Sequence, residues 1–269
     1  RMLFDATLFS DGSNIQRKPK GHLYLYPLIA IAAMLAIVFV MDLPHMHKPK
    51  QQLSQTIRIP AGQRAQMDLP DGSVVWLNSQ TTLTYDENFG KKDRKVTLDG
   101  EAYFEVAHNK EIPFYVQTEN IKVQVTGTKF DVCSYKGSNS FIARLIEGSI
   151  NLLTNNAKEE KPITSLTKGK YFSMENGKYK TGEMSSNNAL AWMQGIYYFD
   201  DVPFKELLDK IALYYNYKIT VKNPKILENY RCTGKFKDLD GIEHILKVIQ
   251  KDHPFKYNID NEHNKITIE

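Results

Sequence analysis

Three carboxylates on one predicted strand are the residues best spaced for chemistry. From Lys95 to Val106 the sequence alternates: Val96, Leu98, Ala102, Phe104 and Val106 face one way, with Gly100 among them, and Lys95, Thr97, Asp99, Glu101, Tyr103 and Glu105 face the other. Glycosidic hydrolysis uses two carboxyl groups roughly 5–9.5 Å apart. At ~3.3 Å per residue, Asp99 and Glu101 fall about 7 Å apart, while Glu101 and Glu105 fall about 13 Å apart. A solvated strand face carries the same alternation of Lys, Thr, Asp and Glu. His108 follows in a loop as a lone imidazole, and a pocket joining it to Asp99 and Glu101 would be needed for acid–base work. His45-x-His47 offers two metal ligands and no others nearby in sequence. Cys133 and Cys232 form no C-x-x-C and lie in different predicted domains, so they are expected to stay separate. No P-loop, G-x-S-x-G or H-E-x-x-H occurs. The expectation is a protein that is not an enzyme, with no catalytic, cofactor-binding or metal residues.

The elements that would position these groups begin with an anchor. Leu23 to Met41 contains no Asp, Glu, Lys or Arg. A helix of that length covers about the ~30 Å hydrocarbon core of a bilayer, which predicts a transmembrane helix over 23–43. Arg17, Lys18 and Lys20 before it place the N-terminus in the cytoplasm by the positive-inside rule. No small-residue cleavage pattern follows Met41, so the segment reads as a retained anchor. Residues 1–22 begin with Arg1 and read as a short cytoplasmic remnant of a longer segment. Residues 44–56, with Pro44 and Pro49, form a linker.

Residues 57–183 read as an all-β domain. Ala65, Met67 and Leu69 alternate with polar residues, Pro70-Asp71-Gly72-Ser73 makes a turn, and Val74 to Leu77 returns. Two glycines break parity. Ile121, Val123 and Val125 are odd-numbered, but beyond Gly127 the apolar positions are Phe130 and Val132. Phe141, Ala143 and Leu145 are odd, but beyond Gly148 come Ile150 and Leu152. A one-residue slip at a glycine predicts a bulge or tight turn.

Residues 184–269 read as a small α+β domain of order β-α-β-β-α-β-β, with a split β-α-β arrangement. Ser185 to Asn188 could cap a helix, and Trp192 should pack. After Pro203, the residues Phe204, Leu207, Leu208, Ile211, Ala212 and Tyr215 line one face of a helix that Asn216 should stop. A second helix is predicted from Asp238 or Asp240, carrying Leu239, Ile242, Ile245, Leu246 and Ile249. Lys265, Ile266, Thr267 and Ile268 form the last strand.

A formal charge of +4 on 269 residues, without a basic stripe, excludes a nucleic-acid partner. A tethered carbohydrate-binding or adhesion module is the alternative class. It would need clustered exposed aromatics, and the chain has two tryptophans, Trp76 and Trp192.

Several motifs in order resemble the periplasmic domain of FecR-type anti-sigma factors. They are Leu69-Pro70-Asp71-Gly72-Ser73-Val74-Val75-Trp76-Leu77-Asn78, Arg94-x-Val96-x-Leu98-x-Gly100-Glu101-Ala102-Tyr103-Phe104-Glu105-Val106, Pro113-Phe114-x-Val116, Gly127-Thr128-x-Phe130-x-Val132 and Glu147-Gly148-Ser149-Ile150. Trp192 to Ile268 is similar to the domain that follows in Bacteroidetes members, itself similar to the short signalling domain of secretins and TonB-dependent receptors. The resemblance implies a single-pass inner-membrane regulator. Its periplasmic bulk would sense the signalling domain of an outer-membrane TonB-dependent transporter, and its cytoplasmic part would hold an extracytoplasmic-function sigma factor. The family's cytoplasmic domain is several times longer than residues 1–22. The strand Lys265–Ile268 is expected to be an exposed edge that pairs with the partner by main-chain hydrogen bonds.

Overall fold

The structure, a computed structural model, describes residues 25–42, 53–155, 160–184 and 186–269. Two compact units emerge, Arg1–Gln51 and Gln52–Glu269.

In the first unit, helix α1 runs Leu25–Asp42. Its apolar side chains, among them Met34, Leu35 and Phe39, are exposed. The span expected over 23–43 is thus a shorter helix of 18 residues, about 27 Å at ~1.5 Å per residue. Among the described residues no helix is long and apolar enough to cross a membrane. His45 and His47 lie outside the described residues.

The second unit opens with thirteen strands: β1 (Ser54–Arg58), β2 (Ala65–Asp68), β3 (Val74–Leu77), β4 (Thr82–Asp86), β5 (Arg94–Glu105), β6 (Phe114–Gln117), β7 (Ile121–Val125), β8 (Lys129–Ser134), β9 (Ser140–Glu147), β10 (Ser149–Thr154), β11 (Pro162–Thr167), β12 (Lys170–Glu175) and β13 (Lys178–Glu183). They join in one continuous sheet through β5. The first half of β5 pairs with β4 and β6, and its second half pairs with β3 and β8. The change of neighbours falls at Gly100. A Cβ there would stand 2.7 Å from the Thr81 Cα, and φ is +133°. Only glycine lets the strand turn this corner against Thr81.

The parity slips at Gly127 and Gly148 are two more corners. Gly127 separates β7 from β8, and Gly148 separates β9 from β10. Both stack into a close column: a Cβ on Gly127 would meet His108 at 2.4 Å, and one on Gly148 would meet the Gly127 carbonyl at 2.9 Å. Phe104, Phe114, Phe130, Phe141 and Phe172 fill the core that both halves enclose. The turn at Asp71 is locked from below. Arg94, almost wholly buried, donates to the carbonyls of Ala107 (2.7 Å), Asn109 (2.9 Å) and Ile112 (2.7 Å) and pairs with Asp71 at 3.3 Å.

The chain then forms a 3₁₀ helix, Asn187–Gln194, opened by the Ser186 side chain and closed by Gly195 in the left-handed region. β14 (Ile196–Pro203), α2 (Phe204–Tyr215), β15 (Lys218–Val221), β16 (Arg231–Lys237), α3 (Ile242–Asp252), β17 (Tyr257–Asp260) and β18 (Lys265–Ile268) follow, in the expected order. Asn216 ends α2 at φ +59°. One expectation is corrected: Asp238–Asp240 is a separate 3₁₀ turn, α3 starts only at Ile242, and Leu239 is 91% exposed. Gly241, at φ +75°, takes the chain off the helical path between them.

We expect Gly100→Ala to lower stability by about 2–4 kcal/mol, because strain and overlap with Thr81 add. Gly137→Ala, with nothing within 4 Å of the added Cβ, should cost only about 1–2 kcal/mol. Urea midpoints separate the two, and equal losses would contradict a corner pinned at Gly100.

Candidate functional site

The three strand carboxylates do not converge. Asp99 accepts the Lys136 N–H at 2.9 Å. Glu105 faces Lys129 at 3.5 Å and Tyr103 Oη at 3.3 Å. His108 lies against Gly127 at the glycine column. Glu101, however, is 5% exposed, and its neighbour Tyr103 is 6% exposed. The face expected to be solvated is covered at Glu101 and Tyr103, because the C-terminal α+β module sits on it.

This seam has a built centre. Arg144 on β9 pairs with Asp131 on β8 at 2.5 Å and reaches Glu101 at 3.8 Å. Asn78 Nδ2 donates to Glu101 at 2.6 Å. Burial first, and then the charge of Asp131, pushes the Glu101 carboxyl up to about 7, against the pull of Arg144, Asn78 and Lys210. Burial likewise raises Asp131, opposed by the charge and hydrogen bond of Arg144 and by the Trp192 N–H, which lies near the carboxylate without meeting hydrogen-bond geometry. Burial alone would lower Arg144, but the two carboxylates hold it above its ordinary value. Among the described residues two buried side-chain atoms make no hydrogen bond, Asp131 Oδ1 and Trp192 Nε1.

Around that centre the turn at residues 78–81 meets the C-terminal end of α2. Ser79 Oγ donates to the Tyr214 carbonyl at 3.2 Å, and Gln80 Nε2 donates to the Leu213 carbonyl. The β domain thereby satisfies carbonyls that a helix end leaves open. Arg64 pairs with Asp238 at 2.7 Å. Trp76 packs edge-on to Tyr103 at 5.5 Å, and Tyr197 stacks on Tyr214 at 4.1 Å. Both tryptophans belong to the cluster of this seam. Cys133 and Cys232 are free thiols.

The sequence reading missed Asp131 and Arg144. A signal was present: they sit opposite each other in register, on the same face as Trp76, Tyr103 and Ile146. A solvated face seldom clusters aromatics around one cross-strand ion pair.

The predicted partner strand is placed differently from expectation. β18 is the middle strand of a three-stranded sheet, parallel to β15 and antiparallel to β17, and Ile266 and Ile268 are fully buried. Its main chain is therefore occupied on both sides. Connectivity explains this, since the last hairpin returns beside β15 and closes the sheet from within. The open edges are β15 and β17. Lys256 and Glu269 exchange hydrogen bonds of 3.0 and 2.8 Å, so by alternation Asn258 and Asp260 bond inward to β18 and the N–H groups of Tyr257 and Ile259 point outward.

Two family models match this layout: FecR protein over residues 55–151, and FecR, C-terminal over residues 196–268. The chain belongs to the FecR family. This is a family of anti-sigma factors, which are regulators in contact with a sigma factor. A crystal structure of a candidate anti-sigma factor from Parabacteroides distasonis ATCC 8503 is similar at 25% identity and a TM-score of 0.69, over 80% of this chain and 98% of that chain. A second from the same organism matches at 24% identity, with the same TM-score and coverage. No curated protein matches the chain.

Replacing Arg144 by Met leaves two buried carboxylates without their cation, and we expect a loss of about 3–5 kcal/mol. Arg64→Ala, at a partly exposed pair, should cost at most about 1 kcal/mol. Similar urea midpoints for the two variants would contradict a seam centred on Arg144.

Proposed function

We propose that this FecR-family regulator works by contact across the inner membrane. In this reading α1 is a single-pass anchor with its N-terminus in the cytoplasm, and residues 52–269 form a periplasmic head. The head reads the signalling domain of an outer-membrane TonB-dependent transporter, and the N-terminal side engages an extracytoplasmic-function sigma factor. The protein is not an enzyme and uses no cofactor. A helix a few ångströms shorter than the bilayer core is accommodated by local thinning at modest cost, and the apolar side chains described on α1 suit a lipid surround.

One observation carries the reading. The C-terminal module ends in a sheet whose two edges are unpaired among the described residues and whose outward residues are polar, while the carboxylates best spaced for catalysis are dispersed or sealed in the seam. We place the receptor on that sheet, with Lys265, Ile266, Thr267 and Ile268 as its central strand and β17 as the edge that accepts a partner strand. A carbohydrate-binding module needs an exposed aromatic platform, and Trp192 is 3% exposed within the seam.

A fragment of residues 52–269, used as bait on detergent-solubilised membranes, should retain a TonB-dependent receptor. Retention on glycan columns without a receptor would support the adhesion alternative. With the purified receptor domain, Ile259→Pro removes one outward N–H without touching the β18 ladder. It should weaken binding at least about tenfold. A folded Ile259→Pro variant with unchanged affinity would remove β17 from the contact.

A further inference from the structure

The seam holds two carboxylates out of water beside one guanidinium that keeps a partial opening to solvent. With both acids ionised, Glu101, Asp131 and Arg144 carry one surplus negative charge in a largely buried site; one proton makes the trio neutral. The side chains of Glu101 and Asp131 are 6% and 0% exposed, and that of Arg144 is 18% exposed. Trp192, from the segment that starts the C-terminal module, is buried beside them with its N–H unsatisfied. All three charged groups sit on the β domain, whereas the lid over them, Trp192, Tyr197, Lys210 and Tyr214, belongs to the module. Lifting the lid would return the carboxylates to water.

We propose that this seam is a proton-gated latch: one proton on the Glu101–Asp131 pair keeps the C-terminal module seated on the β domain, and loss of that proton frees the module to swing. The groups facing the pair do not compete for the role. Arg144 stays charged, since the two acids hold it above its ordinary range. Burial pushes Cys133, Tyr135 and Tyr214 well up, and Tyr197 rises to about 12, so all four stay neutral near pH 7. Lys210 on α2 faces Glu101 as a cation and is also paired with Glu206 at 2.9 Å. Asn78 donates a hydrogen bond and does not titrate.

The direction follows from linkage. Glu101 is raised from 4.5 to about 7 in the closed seam, so the closed form binds the proton more tightly than the open form. The latch is fully engaged below about pH 4.5 and is lost as pH rises through about 7.

Hydrogen exchange of the full chain in detergent, corrected for the intrinsic pH dependence of exchange, reads the seam without any partner. Amides of residues 192–199 and 211–216 should open at least about tenfold more at pH 8 than at pH 5, while the column at Gly127 and Gly148 stays flat. Glu101→Gln, which keeps the shape and removes the titration, should flatten the profile of the seam. A flat wild-type profile would overturn the latch even if the variant failed to fold, and so would an unchanged slope in a folded Glu101→Gln protein. Because no receptor is present, either result leaves the proposed function standing.

Discussion

The constraint on which the rest of the molecule depends is the corner in β5. One strand serves two halves of a sheet because Gly100 lets it pass within contact of Thr81. Before the corner its outward residues meet solvent, as Lys95 and Thr97 do. After the corner, Glu101 and Tyr103 look into the C-terminal module. The same strand therefore builds the core of the β domain with one face and the floor of the seam with the other. Glycines 127 and 148 repeat the device where the chain passes from β7 to β8 and from β9 to β10.

The seam is polar where an apolar patch would have served for adhesion. A buried ion cluster is weak evidence for stability, since desolvation offsets much of the Coulomb attraction. Arg144 reaches both acids, the 78–81 turn caps α2, and Gly195 leaves room for the Arg64–Asp238 pair, whose atoms would lie 2.7–2.9 Å from any Cβ there. The Arg94–Asp71 network, by contrast, fixes one turn inside the β domain and faces no other module. Two motifs that look equally charged in sequence thus do different work, one holding a loop and one joining modules.

Much of this was legible in the residues. Period-two runs located strands, and parity slips located the corners at Gly127 and Gly148, because a displaced side-chain register leaves a trace in the apolar pattern. The i, i+3, i+4 spacing after Pro203 marked α2, and Asn216 marked its end. What escaped detection was long-range. Alternation reports that one strand face is covered; it cannot report a second cover from residues a hundred positions away, so Glu101 reads as solvated, and Asp131 and Arg144 carry no mark of their own. Strand order is equally non-local: Lys265–Ile268, last in sequence, lies in the middle of its sheet. Leu239 fitted the helical spacing of α3 but belongs to a turn that Gly241 diverts.

In the proposed account the working parts of this FecR-family chain are surfaces and a joint. There the sheet edges of the C-terminal module would take a partner strand, and the joint would set where that module points. The central claim of the proposed account is that this head stands outside the inner membrane and acts by touch. The most direct test is side-specific labelling of Lys265→Cys, at an exposed position, in a chain with Cys133 and Cys232 replaced by Ala. A membrane-impermeant maleimide should label it in spheroplasts with the inner membrane intact. Labelling that appears only after that membrane is broken would contradict the account.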